Sequence, residues 1–207
     1  MVPISYCITT HNEGENYIKP LLDRLLKHLQ PEDEIVIVDD FSTEKSTVNT
    51  LDEYKDRVNL YFNSLGKDFA AHKNFAKSMC KKDYIFFIDA DENVHENLLL
   101  TIKEILLNNI NIDMFLVPRI NVVPGLTQEH IQKWGWNVND KGYINYPDPQ
   151  TRIVLNKPEI AWEGKVHERL VGHDTHAMLP FETEDYCLLH IKDIKRQEAQ
   201  NNFYNTL

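Results

Sequence analysis

The feature that most narrows what this chain can become is an alternation in its first 117 residues. Short apolar, β-branched runs take turns with segments whose apolar residues recur at helical spacing. Residues 4–9, 34–39, 58–62, 84–88 and 114–117 have the length and composition of buried strands. Between the first two, Tyr17, Ile18, Leu21, Leu22, Leu25, Leu26 and Leu29 fall on one helical face, and Pro31-Glu32-Asp33 ends that helix. Residues 46–54, 68–80 and 96–108 predict three further helices. Regular alternation of this kind predicts an α/β fold, a Rossmann-like and mostly parallel sheet flanked by helices on both faces. With 207 residues, a single domain is expected, large enough to bury its core without disulfides.

Open α/β sheets bind ligands beyond the carboxyl ends of their strands. Three polar clusters stand at those ends: residues 9–13, 39–42 and 89–92. Asp89-Ala90-Asp91 follows the apolar run Tyr84-Ile-Phe-Phe-Ile88. Two carboxylates one residue apart can divide their work between a divalent cation and a ribose hydroxyl, and Mn²⁺ or Mg²⁺ prefers such oxygen ligands. The bland alternative is a helix start capped by Asp91 or Asn93. Asp39 ends its strand where a carboxylate can accept the N3–H of uracil, against the alternative that Asp40 or Ser42 caps the next helix. Lys73, one turn into a helix, is placed to meet a diphosphate, although a lone lysine is more often only exposed.

The second half changes character. Residues 119–165 read as irregular and contain Trp134, Trp136, Tyr143, Tyr146 and Trp162. Residues 152–155 and 184–191 resemble strands, and 192–207 a polar helix of no evident role. Trp162-Glu-Gly-Lys-Val-His-Glu168 offers Glu168 and His167 as general-base candidates. His190, in an apolar run, is either a satisfied core histidine or a neutral imidazole completing a metal shell. Trp134, Trp136 and Arg152 belong to a stretch of aromatics and cations suited to holding an acceptor.

A net charge of −10 argues against nucleic-acid binding through bulk electrostatics. Cys7, Cys80 and Cys187 form no CxxC or zinc pattern, so buried thiols in a reducing compartment are expected. The first residues lack the pattern of a signal peptide, and no apolar run approaches the ~18 residues of a membrane span. A cytoplasmic location follows as an expectation, the host cytoplasm if the chain is phage-encoded.

The ordered segments Ile-Thr-Thr-His-Asn-Glu, Ile-Val-Ile-Val-Asp-Asp-Phe-Ser-Thr, Asp-Phe-Ala-Ala-His-Lys-Asn-Phe-Ala and Phe-Ile-Asp-Ala-Asp-Glu resemble family 2 glycosyltransferases of the GT-A fold. Pro-Asp-Pro-Gln-Thr-Arg-Ile followed by Trp-Glu-Gly-Lys-Val-His-Glu is similar to the lipopolysaccharide-core glucosyltransferase branch. The resemblance implies a donor half, residues 1–118, and an acceptor and catalytic half, residues 119–207. It implies Thr9 and Glu13 in the nucleoside pocket, Asp39 on uracil, Asp89 on ribose and Asp91 on the metal. Lys73 stands where relatives carry Arg, which keeps the charge and loses the bidentate fork. No Glu-Asp pair follows the fifth strand, so Glu168 is taken as the base with Asp148 in reserve. The implied reaction is metal-dependent, inverting transfer from a UDP-sugar to a hydroxyl of a saccharide or lipid-linked glycan. Three alternatives stand beside it: a bacteriophage-type enzyme acting on hydroxymethylated DNA bases, a non-catalytic carbohydrate-binding protein on the same scaffold, and a nucleotidyltransferase. The last should carry a glycine-rich phosphate loop after the first strand, where only Gly14 occurs.

Overall fold

The computed structural model describes residues 2–204, with side chains to residue 201; the end of the expected last helix, 205–207, lies outside the described residues. In chain order the elements are β1 (Ile4–Thr10), α1 (Glu15–His28), β2 (Glu34–Asp39), α2 (Lys45–Tyr54), β3 (Asn59–Phe62), α3 (Phe69–Met79) and β4 (Tyr84–Asp89). Then follow β5 (Asn93–Val94), α4 (Glu96–Asn108), β6 (Met114–Val117), β7 (Arg119–Val122), α5 (Gln128–Trp134) and β8 (Gln150–Leu155). The chain continues through β9 (Ala161–Glu163), β10 (Arg169–Val171), β11 (His176–Met178), β12 (Leu188–Ile191) and α6 (Ile194–Tyr204).

Seven strands form the central sheet in the order β11-β6-β8-β4-β1-β2-β3. β1 pairs in parallel with β2 and β4, β2 with β3, and β6 with β11; only β8 runs antiparallel, between β4 and β6. Side chains alternate across a strand, so the sheet divides the core into two layers. Ile4, Tyr6 and Ile8 face the layer closed by Ile18, Leu21, Leu22 and Leu25 of α1 and by Leu98, Ile102 and Leu106 of α4. Cys7, Val36 and Val38 face the other, closed by Ala70 and Ala76 of α3 and by Trp162 and Leu170 of the β9–β10 hairpin.

A smaller sheet, β5-β12-β7, is built from segments nearly a hundred residues apart. β12 lies antiparallel to β5, with Leu189 opposite Asn93, and parallel to β7, with His190 opposite Asn121. This register carries the C-terminal half back to the end of β4.

Several expectations require correction. Residues 119–165 are not wholly irregular, since they contain β7, α5, β8 and β9. α5 starts at a Thr127–His130 capping box and stops at Gly135, whose left-handed φ of 65° suits a residue without a Cβ. Residues 184–191 are not one strand, because a 3-10 turn at Glu184–Tyr186 precedes β12. Neither Asp91 nor Asn93 caps a helix, since His95 caps α4. Glu44, rather than Asp40 or Ser42, caps α2. With the capping roles gone, the carboxylates at the ends of β2 and β4 have no helix to serve.

Candidate active site

A cleft of about 1110 Å³ opens at the carboxyl ends of β1 and β4. Thr9, Glu13, Lys73, Asp89, Asp91, Asp148, Arg152, His167, Glu168 and His190 all line it. Trp136 lines it too, whereas Trp134 lies outside and packs on Trp136 with ring centroids 4.6 Å apart. His130 stacks on Trp134 at 5.0 Å, so an aromatic ledge leads out of the cleft. Asp39 is buried behind the lining, where its carboxylate accepts from the Ser42 backbone N–H at 3.0 Å and from the Ser42 hydroxyl at 2.5 Å. Its neighbour Asp40 reaches the cleft instead. Asn145, Asp148 and His167 hold left-handed φ values of 53°, 37° and 56° at the cleft wall, and such backbone strain clusters at functional sites.

The floor of the cleft is a chain of alternating charges. β8 runs antiparallel to β4, and this direction delivers Arg152 to the end where Asp89 sits. Arg152 Nη2 donates to Asp89 at 2.6 Å and to Glu92 at 2.7 Å. Arg119 Nη1 donates to the same Glu92 oxygen at 2.9 Å, and its Nε and Nη2 both reach Asp148 Oδ2 at 2.8 Å. Glu92 also accepts from the Asp89 backbone N–H at 3.1 Å. Three carboxylates against two guanidiniums leave one net negative charge. Burial alone would raise the Asp89 carboxyl, but Arg152 and Lys73 outweigh it and hold it below the usual carboxylate range. From sequence, Glu92 is only the last member of the 89–92 cluster and Arg119 one cation of the acceptor stretch; the ion pair of Arg119 with the fully buried Glu92 is a finding of the structure. The available signals were an acid directly after the Asp-Ala-Asp triad and an arginine bounded by apolar residues.

Asp91 lies in different company. His190 Nε2 is 3.4 Å from its Oδ2, and Lys192 Nζ and Arg196 Nη2 are each 3.7 Å away. Burial pushes this carboxyl up, and the three basic groups together pull it well below its ordinary value. The ring of His190 is oriented by Asn121. Asn121 Nδ2 donates to Asp148 at 2.6 Å, so its amide oxygen must face His190 Nδ1, at 2.7 Å. Nδ1 therefore carries a proton, and Nε2 is the ring nitrogen turned towards Asp91. Among the described residues no three His, Cys, Asp or Glu side chains converge as a complete metal shell.

On the opposite wall, Lys73 Nζ donates to Glu168 Oε1 at 2.5 Å and sits 4.6 Å from the centre of the Trp162 ring. Glu168 thus commits one oxygen to Lys73. Asp148 commits both, because Gln150 Nε2 takes Oδ1 at 3.0 Å. Glu13, which accepts from Thr10 Oγ1 at 2.5 Å and the His11 N–H at 2.6 Å, has its carboxyl raised by burial.

The model of the family described as "Glycosyl transferase family 2" matches residues 5–158. Over 104 residues, 48% of this chain and 31% of the relative, the chain is 31% identical to poly(ribitol-phosphate) beta-N-acetylglucosaminyltransferase TarP of Staphylococcus aureus. It is 30% identical to glycosyltransferase GlyG of Streptococcus pneumoniae over 103 residues, 49% of this chain and 34% of that protein. The chain thus spans about a third of the length of these curated relatives. Crystal structures of S. aureus TarS residues 1–349 with UDP and with UDP-GlcNAc superpose at a TM-score of 0.62, with 18% and 19% identity. Each covers 93% of this chain, which spans 61% and 59% of those chains. That likeness establishes the GT-A fold. With three quarters of its length matched by the family model, the chain belongs to glycosyl transferase family 2.

Proposed function

We propose that this protein is an inverting, divalent-metal-dependent glycosyltransferase that moves a sugar from a UDP-sugar to a hydroxyl of a saccharide or lipid-linked glycan. The observation that carries the reading is the facing pair Asp91 and His190, with the imidazole locked by Asn121. Adjacent ligands of an octahedral ion at ~2.1 Å stand about 3 Å apart, close to the 3.4 Å between Asp91 Oδ2 and His190 Nε2. Two donors from the described residues suit Mn²⁺ or Mg²⁺, since such ions commonly complete their shell with phosphate oxygens and water. A ligating histidine typically gives its other N–H to a fixed acceptor, as His190 does to Asn121. When bound, the ion supplies positive charge against the departing diphosphate.

The remaining roles fall to named side chains. Thr9, Glu13 and the Asp39–Asp40 turn form the nucleoside end, where Asp39 accepts the uracil N3–H once Ser42 yields its hydroxyl contact. Asp89, held by Arg152, takes the ribose. Glu168 is the better base because Asp148 has both oxygens committed, and His167 stands beside it. Glu168 accepts the proton as the acceptor oxygen bonds to the anomeric carbon and the bond to UDP breaks on the opposite side. Trp136, with Trp134 behind it, receives the acceptor ring. Residues 1–118 serve the donor and 119–207 the acceptor and the base, with β12 returning to the donor side.

TarS crystallised with UDP-GlcNAc makes N-acetylglucosaminyl transfer the first activity to test, beside glucosyl transfer of the lipopolysaccharide-core kind. Among the described residues no helix is long and apolar enough to cross a membrane. The free, buried Cys7, Cys80 and Cys187 support a cytoplasmic setting. The test is incubation with Mn²⁺ and a panel of UDP-, CDP- and GDP-sugars, following donor hydrolysis without acceptor. Hydrolysis of a UDP-sugar that EDTA stops is expected. Turnover of another nucleotide-sugar alone, or indifference to EDTA, overturns the reading.

A further inference from the structure

The cleft contains more basic side chains than its carboxylates hold tightly. Lys73 closes on Glu168 at 2.5 Å, Arg119 on Asp148 at 2.8 Å and Arg152 on Asp89 at 2.6 Å. Lys192 and Arg196 behave differently. Both stand 3.7 Å from Asp91, and Arg196 is also 3.7 Å from Glu13, beyond ordinary hydrogen-bond length. Neither cation is closed on a carboxylate, and both line the cleft, where a bound anion can reach them. Their positions are nonetheless built. Lys192 is 4% exposed, its backbone N–H donates to Val122, and its Nζ donates to Gln200 Oε1 at 2.5 Å, one turn and more along α6. The Arg196 guanidinium lies 4.6 Å from the centre of the Tyr17 ring, which belongs to α1. Gln197, buried and on the same helix, faces the cleft with them.

We infer that Lys192 and Arg196 bind the diphosphate of the nucleotide donor and make α6 a clasp over the donor site. The inference deepens the donor reading above and rests on it. Lys73, the other cation placed to meet a diphosphate, is already closed on Glu168. Arg169 is set in the β9–β10 hairpin beside Glu168, at the acceptor wall. Lys192, in the connection between β12 and α6, and Arg196 on α6 are left next to Asp91, where the leaving phosphates must lie if Asp91 and His190 hold the ion. In the donor-free protein they screen Asp91; with donor present they turn to phosphate oxygens, and the helix is fixed across the cleft mouth. Charge is then supplied to the departing UDP from the protein as well as from the ion.

Calorimetry with UDP, uridine and inorganic pyrophosphate tests this, in EDTA and again with Mn²⁺, on wild type, Lys192→Met, Arg196→Gln and Arg196→Lys. In EDTA, wild type should bind UDP at least tenfold more tightly than uridine. Lys192→Met and Arg196→Gln should each weaken UDP and pyrophosphate by about tenfold or more, the scale of a charge-assisted hydrogen bond. Uridine affinity should not change, and Arg196→Lys should recover part of the loss. Equal losses for UDP and uridine would mark a structural role and overturn the inference, as would unchanged UDP affinity. If UDP and uridine bind wild type equally in EDTA and differ only with Mn²⁺, the ion alone reads the diphosphate; the metal reading then survives and the clasp does not. If UDP binds wild type in neither condition, the donor reading itself falls, and the clasp with it.

Discussion

Replacing Glu92 by glutamine removes one negative charge from the middle of the floor network while keeping the shape of the side chain. Glu92 Oε1 accepts from Arg119 at 2.9 Å and from Arg152 at 2.7 Å, and the side chain is fully buried. Two hydrogen bonds between charged groups contribute about 1.5–3 kcal/mol each, and the neutral amide oxygen restores roughly a third to a half of that. A loss of roughly 2–4 kcal/mol is expected, near the lower part of the range for breaking a buried ion pair. At a urea slope of about 2 kcal/mol per molar, the unfolding midpoint should fall by about 1–2 M, read from tryptophan fluorescence. Glu96→Gln is the control, because Glu96 pairs with Lys27 at the surface, where solvent screens the pair and its loss should move the midpoint little. UDP affinity should also fall in Glu92→Gln, since Arg152 is then drawn wholly onto Asp89. A midpoint shift no larger than that of Glu96→Gln would refute the idea that Glu92 organises the floor.

Three further outcomes follow from the same geometry. Asp39→Ala should weaken UDP binding by about 1.5–3 kcal/mol, as for a hydrogen bond to a charged group; calorimetry showing equal wild-type affinity for UDP and CDP would remove the uracil assignment. Glu168→Gln should abolish transfer while leaving UDP-sugar affinity within a few-fold of wild type, because a base acts on the acceptor; if Asp148→Asn gives this pattern and Glu168→Gln does not, the roles are exchanged. Asn121→Leu should weaken Mn²⁺ binding, followed by electron paramagnetic resonance, by about 10–100-fold. An unchanged Mn²⁺ affinity there would show that the His190 ring needs no such support.

The sequence made the donor side of this fold readable because its contacts are local in pattern. β1, β2 and β4 are buried on both faces and appear as short, mostly apolar and β-branched or aromatic runs, and α4 and β6 lie where their periodicity places them. The convergence of Thr9, Glu13, Asp89 and Asp91 follows from strand direction alone. What periodicity cannot show is pairing across long stretches of chain. The insertion of β8 between β4 and β6 sets Arg152 against Asp89, 63 residues away. β12 meets β7 across 69 residues to join His190 to Asn121. β7, with four residues, is too short for alternation to stand out, and α5 buries no residue, so it has no apolar stripe to read. Lys192 and Arg196 fall in a stretch that reads from sequence only as a polar helix of no evident role; the fold places both within 3.7 Å of Asp91.

Asp91 and His190 are proposed to hold an ion whose shell a nucleoside diphosphate completes. Titration of Mn²⁺ into the protein, with free ion counted by electron paramagnetic resonance, tests it directly with and without saturating UDP. Wild type should bind one Mn²⁺ at least tenfold more tightly when UDP is present, and Asp91→Asn should lose that enhancement. Mn²⁺ binding that UDP does not strengthen, or that Asp91→Asn leaves intact, would contradict the account.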